Sequence, residues 1–99
     1  MSIARTPLFL MANLGSEVSR MLSALERGDA DMARRSKKRA DEILASIIEF
    51  PEMQPRKREL LLLKNVIEGF FDKNSEFKVR SNSLKEYFIP FALRAMPGM

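Results

Sequence analysis

The 99-residue chain has apolar side chains for one hydrophobic interior rather than two, and at 30% charged residues it has ample ionic surface to keep the outside of that interior wet. It contains no cysteine, which excludes disulfides and thiolate chemistry, and no histidine, which excludes imidazole acid–base work and the Glu-x-x-His metal pairs of helical bundles. Its 17 Lys+Arg against 13 Asp+Glu leave a net charge of +4, a modest excess that suits acidic partners or nucleic acid without requiring either.

The first predicted helix begins at Thr6-Pro7, a capping hydroxyl followed by a proline in the first turn, and runs to Arg27, where Gly28 stops it. Met11, Leu14, Val18, Met21 and Leu25 recur at spacings of three and four, with Leu22 beside them, and form its apolar stripe. Ala12, Ser16, Ser19 and Ser23, with Gly15 adjacent, form a second stripe of small residues that would let a neighbouring helix come close; ordinary surface serines are the plain alternative. Asp29 caps the second helix, predicted over Ala30–Phe50, and the short Gly28-Asp29 connection forces an antiparallel hairpin. Ala33, Ser36, Ala40, Ile43, Leu44, Ile47 and Ile48 share one side of helix 2, while Arg34, Arg35, Lys37, Lys38 and Arg39 occupy the other.

Pro51 and Pro55 place a turn after Phe50, and Pro55 is suited to open a third helix running to Phe71, with Leu60, Leu63, Ile67, Phe70 and Phe71 on its main face. The run Leu60 to Leu63 is too apolar for that face alone: Leu61 points away from it, and Leu62 with Val66 widens it towards a second neighbour. Residues 72–80 read as a loop pinned by Phe77 and Val79. Ser83 and Glu86 have the spacing of a capping box, so the fourth helix is expected to start there, with Leu84, Tyr87, Phe88, Phe91 and Ala95 inward. Pro90 removes a backbone donor in its middle, which predicts a kink or two shorter pieces. The fold expected is all-α: one compact antiparallel four-helix bundle over residues 1–99, its last helix kinked or split at Pro90.

The segment Gly28 to Ala33, with Ala40 and Leu44 after it, resembles the middle of a tetratricopeptide hairpin, but no second copy follows at the period of about 34 residues that a solenoid needs. Leu14 to Glu17, Gly28-Asp29, Arg58 to Leu60 and Tyr87-Phe88 together give the whole chain a resemblance to small uncharacterised bacterial helical-bundle proteins, which implies a fold and carries no function. The bundle is also similar to the helical nucleotide-binding families that include toxin ribonucleases; the absence of histidine removes their catalytic pair.

No phosphate loop, nucleophile elbow or zinc spacing is present, the glycines at 15, 28, 69 and 98 are isolated, and Glu17, Glu49 and Glu68 have no evident acid–base partner. The sequence therefore points to a non-enzymatic binding protein with no cofactor or metal. Leu61, Leu62 and Val66 on helix 3 and Ile89 and Leu93 on helix 4 exceed what one small core absorbs, and self-association as a homodimer, or capture of another protein, is their simplest use. In a monomer the same residues would bury against the 72–80 loop and the N-terminal arm. The competing reading is phosphate-directed binding of RNA or DNA through Arg34, Arg35, Lys37, Lys38, Arg39, Arg56, Lys57 and Arg58. Asp29, Asp31, Asp41, Glu42 and Glu49 balance helix 2, Asp31 is spaced to pair with Arg35, and no aromatic interleaves with the cations, so a solvated, ion-paired face is favoured. The C-terminal aromatics at helical spacing are assigned to the core before any pocket. The apolar run Leu8 to Ala12 is too short for a signal or membrane segment, and cysteine-free composition suits a reducing compartment, so a cytoplasmic location away from membranes is expected.

Overall fold

In the computed structural model, which describes residues 6–72, 74 and 79–95, four helices follow one another: α1 (Pro7–Arg27), α2 (Ala30–Ile48), α3 (Lys57–Gly69) and α4 (Ser81–Ala95). A 3-10 turn, Pro51–Arg56, joins α2 to α3, and no strand occurs among the described residues. Local chemistry sets the first boundaries. The Thr6 hydroxyl accepts the Phe9 N–H at 3.1 Å, and Pro7 occupies the first turn, where a missing donor costs nothing. Gly28 ends α1 in the left-handed region at φ 76°, with its N–H donating to the Leu25 carbonyl (3.2 Å) and the Asp29 N–H to the Ala24 carbonyl (2.8 Å). That pair of bonds is a Schellman stop. Asp29 then caps α2 by accepting the Met32 N–H at 3.1 Å, so no spare residue separates the two helices.

α2 ends at Ile48 instead of Phe50 because Pro51 holds Phe50 extended, at φ −67°, ψ 129°. Gln54 donates its side-chain amide to the orphaned Ile48 carbonyl. Pro55 does not open the third helix; it lies inside the 3-10 turn, which buries Met53, and α3 starts two residues later. α4 starts two residues before the expected capping box. Its first turn closes with the Leu84 N–H on the Arg80 carbonyl at 3.1 Å, which puts Ser83 inside the helix and exposed. It is also continuous through Pro90 rather than split. Pro90 and Glu86 are both on the exposed side, so the carbonyl that loses its donor faces water. Val79 is exposed instead of pinned, and Phe77 lies outside the described residues.

α1 is the central element and packs against both α2 and α4, while α2 also meets α3. Met11, Leu14, Val18, Met21 and Leu22 are fully enclosed along it. Opposite them α2 presents Ala33, Ser36, Ala40, Leu44 and Ile47, and the three small residues bring the two backbones close. The close approach of α4 occurs at Gly15 and not along the serine stripe. A Cβ there would lie 2.8 Å from the Phe88 Cβ, whereas Ser16 and Ser19 are exposed. Leu60, Leu63 and Ile67 of α3 and Leu84, Phe88 and Phe91 of α4 complete the interior. Lys37 of α2 pairs with Glu68 near the end of α3, and Glu26 near the end of α1 pairs with Lys85 near the start of α4, as antiparallel neighbours would.

Candidate functional site

With Leu60, Leu63 and Ile67 turned inward, the 3.6-residue repeat turns Arg58, Leu61, Leu62 and Asn65 outward on α3. Leu61 is 43% exposed and Leu62 51%. Each leans over a groove. On the α2 side Leu61 borders a depression with Leu44, Ala45, Ile48 and Asp41. On the α4 side Leu62 borders an apolar groove of about 220 Å³ with Val66, Val79, Leu84 and Tyr87. α3 is thus a ridge with an apolar flank towards α4 and a mixed one towards α2, where Glu49, Lys64 and Glu68 join Asp41 in the lining. Val66, expected among the exposed residues, is half-buried in the second groove.

A polar cluster closes one end of that groove. Arg56 donates to both carboxylate oxygens of Glu59, at 3.3 Å and 2.6 Å, and lies 5.3 Å above the Phe91 ring. The Tyr87 hydroxyl donates to the same carboxylate in a short hydrogen bond. The bond from Arg56 holds the Glu59 carboxyl below the usual carboxylate range, with Tyr87 assisting. Burial, then the Glu59 carboxylate, pushes the Tyr87 hydroxyl well above the ordinary phenol value. A neutral tyrosine and an ionised glutamate therefore persist together at neutral pH, as a clasp between the first turn of α3 and the middle of α4.

The predicted basic face is only partly free. Arg34 pairs with Asp31 (2.9 Å), which displaces the expected Asp31–Arg35 pair. Arg39 reaches the buried Glu17 at 3.0 Å, and Arg20 binds the other oxygen of that carboxylate. Lys37 sits between Asp41 (2.8 Å) and Glu68 (2.6 Å); burial disfavours its charge, but the two carboxylates outweigh this and raise its pKa. Arg56 belongs to the clasp. Arg35, Lys38, Lys57 and Arg58 are exposed and have no partner among the described residues. The Arg56–Arg58 cluster does not extend the α2 face: Lys57 lies eleven residues along α3 from Glu68, about 16 Å from the point where Lys37 is held.

Ile89 and Leu93 are about half exposed on α4. Ile89 is two residues from Tyr87 and so about 160° around the helix from the side that meets α3, which makes it a patch separate from Leu61 and Leu62. The interhelical pairs Glu17–Arg39, Lys37–Glu68 and Glu59–Tyr87 are the elements that sequence reasoning did not find; only the i, i+3 spacing of Arg56 and Glu59 gave a local signal. Compared with protein-family models, with curated proteins and with solved structures, the chain matches none. Among the described residues no group of acidic side chains is placed to hold a metal ion, and no helix is long and apolar enough to cross a membrane.

Proposed function

We propose that this protein is a non-enzymatic interaction module that self-associates through the outward face of α3. The supporting observation is the pair Leu61 and Leu62, adjacent and about half exposed, with an apolar groove on the α4 side and a depression of mixed apolar and charged lining on the α2 side. Large apolar side chains standing on a ridge beside an apolar groove suit ridge-into-groove helix packing. Two chains of charge +4 repel, so burial of these leucines is the driving term and added salt strengthens the association. Light scattering across the micromolar range should show a concentration-dependent dimer that becomes a folded monomer on Leu62→Lys; a wild-type monomer throughout that range removes the reading.

Phosphate-directed nucleic-acid binding is the second reading, and Arg35 and Lys38 favour it: they are exposed, unpaired among the described residues and three positions apart on one face of α2. It has the opposite salt signature, with affinity falling as salt rises. A gel-shift titration at low salt with RNA and DNA separates the two, since retention lost on Arg35→Ala with Lys38→Ala supports this reading and no retention ends it.

A further inference from the structure

Glu17, the buried carboxylate of the α1–α2 seam, is outnumbered by its partners. Its side chain is 12% exposed, and its two oxygens accept from two guanidiniums, Arg20 of its own helix at 3.1 Å and Arg39 of α2 at 3.0 Å. Two cations share one anion, so a unit of positive charge is left fixed on the outer rim of the seam. Arg20 bonds through Nη1 alone and Arg39 through Nε and, to the Ser36 hydroxyl, Nη2. Each guanidinium has five N–H groups, so both keep several donors uncommitted among the described residues.

That charge has neighbours of the same sign on both helices. On α1, Arg20 and Arg27 line an open depression of about 450 Å³ together with the hydroxyls of Ser16, Ser19 and Ser23, and no carboxylate joins them. The two grooves beside α3 each include one or more, Glu59 in the first and Asp41, Glu49 and Glu68 in the second. On α2, Arg35 stands one turn before Arg39, with Lys38 three positions after it, so the cations continue from one helix to the other across the Glu17 bridge. Arg27, Arg35 and Lys38 are exposed and have no partner among the described residues. Asp31 is engaged by Arg34, and Glu42, one turn beyond Lys38, bounds the run.

Resting on the nucleic-acid reading, we infer that the site lies across the α1–α2 seam, where Arg27, Arg20, Arg39, Arg35 and Lys38 together follow the phosphodiester backbone of RNA or DNA. The arrangement suits a linear polyanion better than a compact ion: Arg20 and Arg27 are seven residues apart, about 10 Å along α1, and the cations then pass to a second helix. The serine hydroxyls add uncharged donors beside the guanidiniums, as backbone contacts commonly do. No aromatic side chain lines the depression or interrupts the run on α2, so no base has a platform to stack on and contact is confined to phosphate and sugar.

Fluorescence anisotropy of a labelled single-stranded RNA and of the matching DNA, titrated with the full chain from low salt upwards, reads both the affinity and its salt dependence. Arg20→Gln, Arg27→Gln and Arg39→Gln combined should weaken binding roughly tenfold or more and flatten the slope of log affinity against log salt by about 2, since each single-strand phosphate contact contributes about 0.7. The same loss of charge at three exposed cations elsewhere, Lys57→Gln, Arg80→Gln and Arg94→Gln, should weaken it by less than roughly threefold. Arg27→Glu tests the same face without touching the Glu17 bridge, and should weaken binding roughly fivefold or more with the melting temperature unchanged. Equal losses from the two triple variants, or an Arg27→Glu chain that binds like the wild type, overturn the seam as the site; binding that is still lost on Arg35→Ala with Lys38→Ala then leaves the nucleic-acid reading standing. A wild-type chain that retains neither RNA nor DNA ends both.

Discussion

The seam between α1 and α2 and the exterior of α3 use the same residue types in opposite ways. Along the seam every large apolar side chain finds a cover: Leu14, Val18, Met21 and Leu22 meet Leu44 and Ile47 across small residues, and the one carboxylate taken inside, Glu17, is held by two arginines. On α3 half of the leucines turn inward and half stand in solvent, Leu60 and Leu63 against Leu61 and Leu62. The difference separates two tasks. Folding stability is lodged in the seam and in α4's seat on Gly15, while α3 contributes one face to the interior and leaves the other in solvent, the face proposed for self-association.

Substitutions should divide along the same line. Leu14→Ala, at a fully buried position on the central helix, should cost about 3 to 4 kcal/mol in urea unfolding, a large fraction of the stability of a domain of this size. A loss below about 1 kcal/mol would mean that the seam does not carry the fold. Gly15→Ala gains about 1 kcal/mol of helix propensity, but its new methyl meets the Phe88 Cβ at 2.8 Å, and that atom cannot swing aside without moving α4. A net loss of about 1 kcal/mol, read as a melting temperature lower by roughly 4 to 8 °C, is expected; stabilisation would show that α4 is free to shift.

The clasp joins the two regions and should respond to pH with known signs. Glu59 has a depressed folded pKa, so its contribution is present above the ordinary range near about 4.3 and disappears as pH falls through the folded value. Tyr87 has a raised one, so stability is flat below about pH 10 and falls above it, where the unfolded chain releases the proton first. Tyr87 is the only tyrosine and the chain lacks tryptophan, so phenolate absorbance should appear together with unfolding and not before it. Tyr87→Phe should cost about 1 kcal/mol and weaken the alkaline dependence, leaving the part that the raised pKa of Lys37 contributes. The smallest expected change in stability, within about 0.5 kcal/mol, belongs to Leu62→Lys, measured on the monomer by urea unfolding. A larger loss there would place Leu62 in the core and erase the distinction between the two regions.

The extent to which the fold was legible in the sequence depended on how local its causes are. Thr6, Gly28 and Asp29 act on backbone groups within a few residues, and they gave the first two helices nearly to the residue. The start of α4 was misplaced because Arg80 opens it with no side-chain signature, and the visible Ser83–Glu86 spacing falls inside the helix. The 3-10 turn was missed because prolines announce a break without naming what fills it. At the candidate site Leu61 and Leu62 were legible as a surplus over the inward face. Their separation from Ile89 and Leu93, and the diversion of Lys37 and Arg39 into interhelical bridges, depend on which faces meet in space, and periodicity along one helix does not encode that.

The Gly28-Asp29 connection has a kinetic consequence. Because Asp29 both completes the end of α1 and anchors the beginning of α2, the two helices share a boundary and neither frays there alone. Closing so short a loop costs little chain entropy, so φ-values measured along the α1–α2 seam should exceed those in α3 and α4.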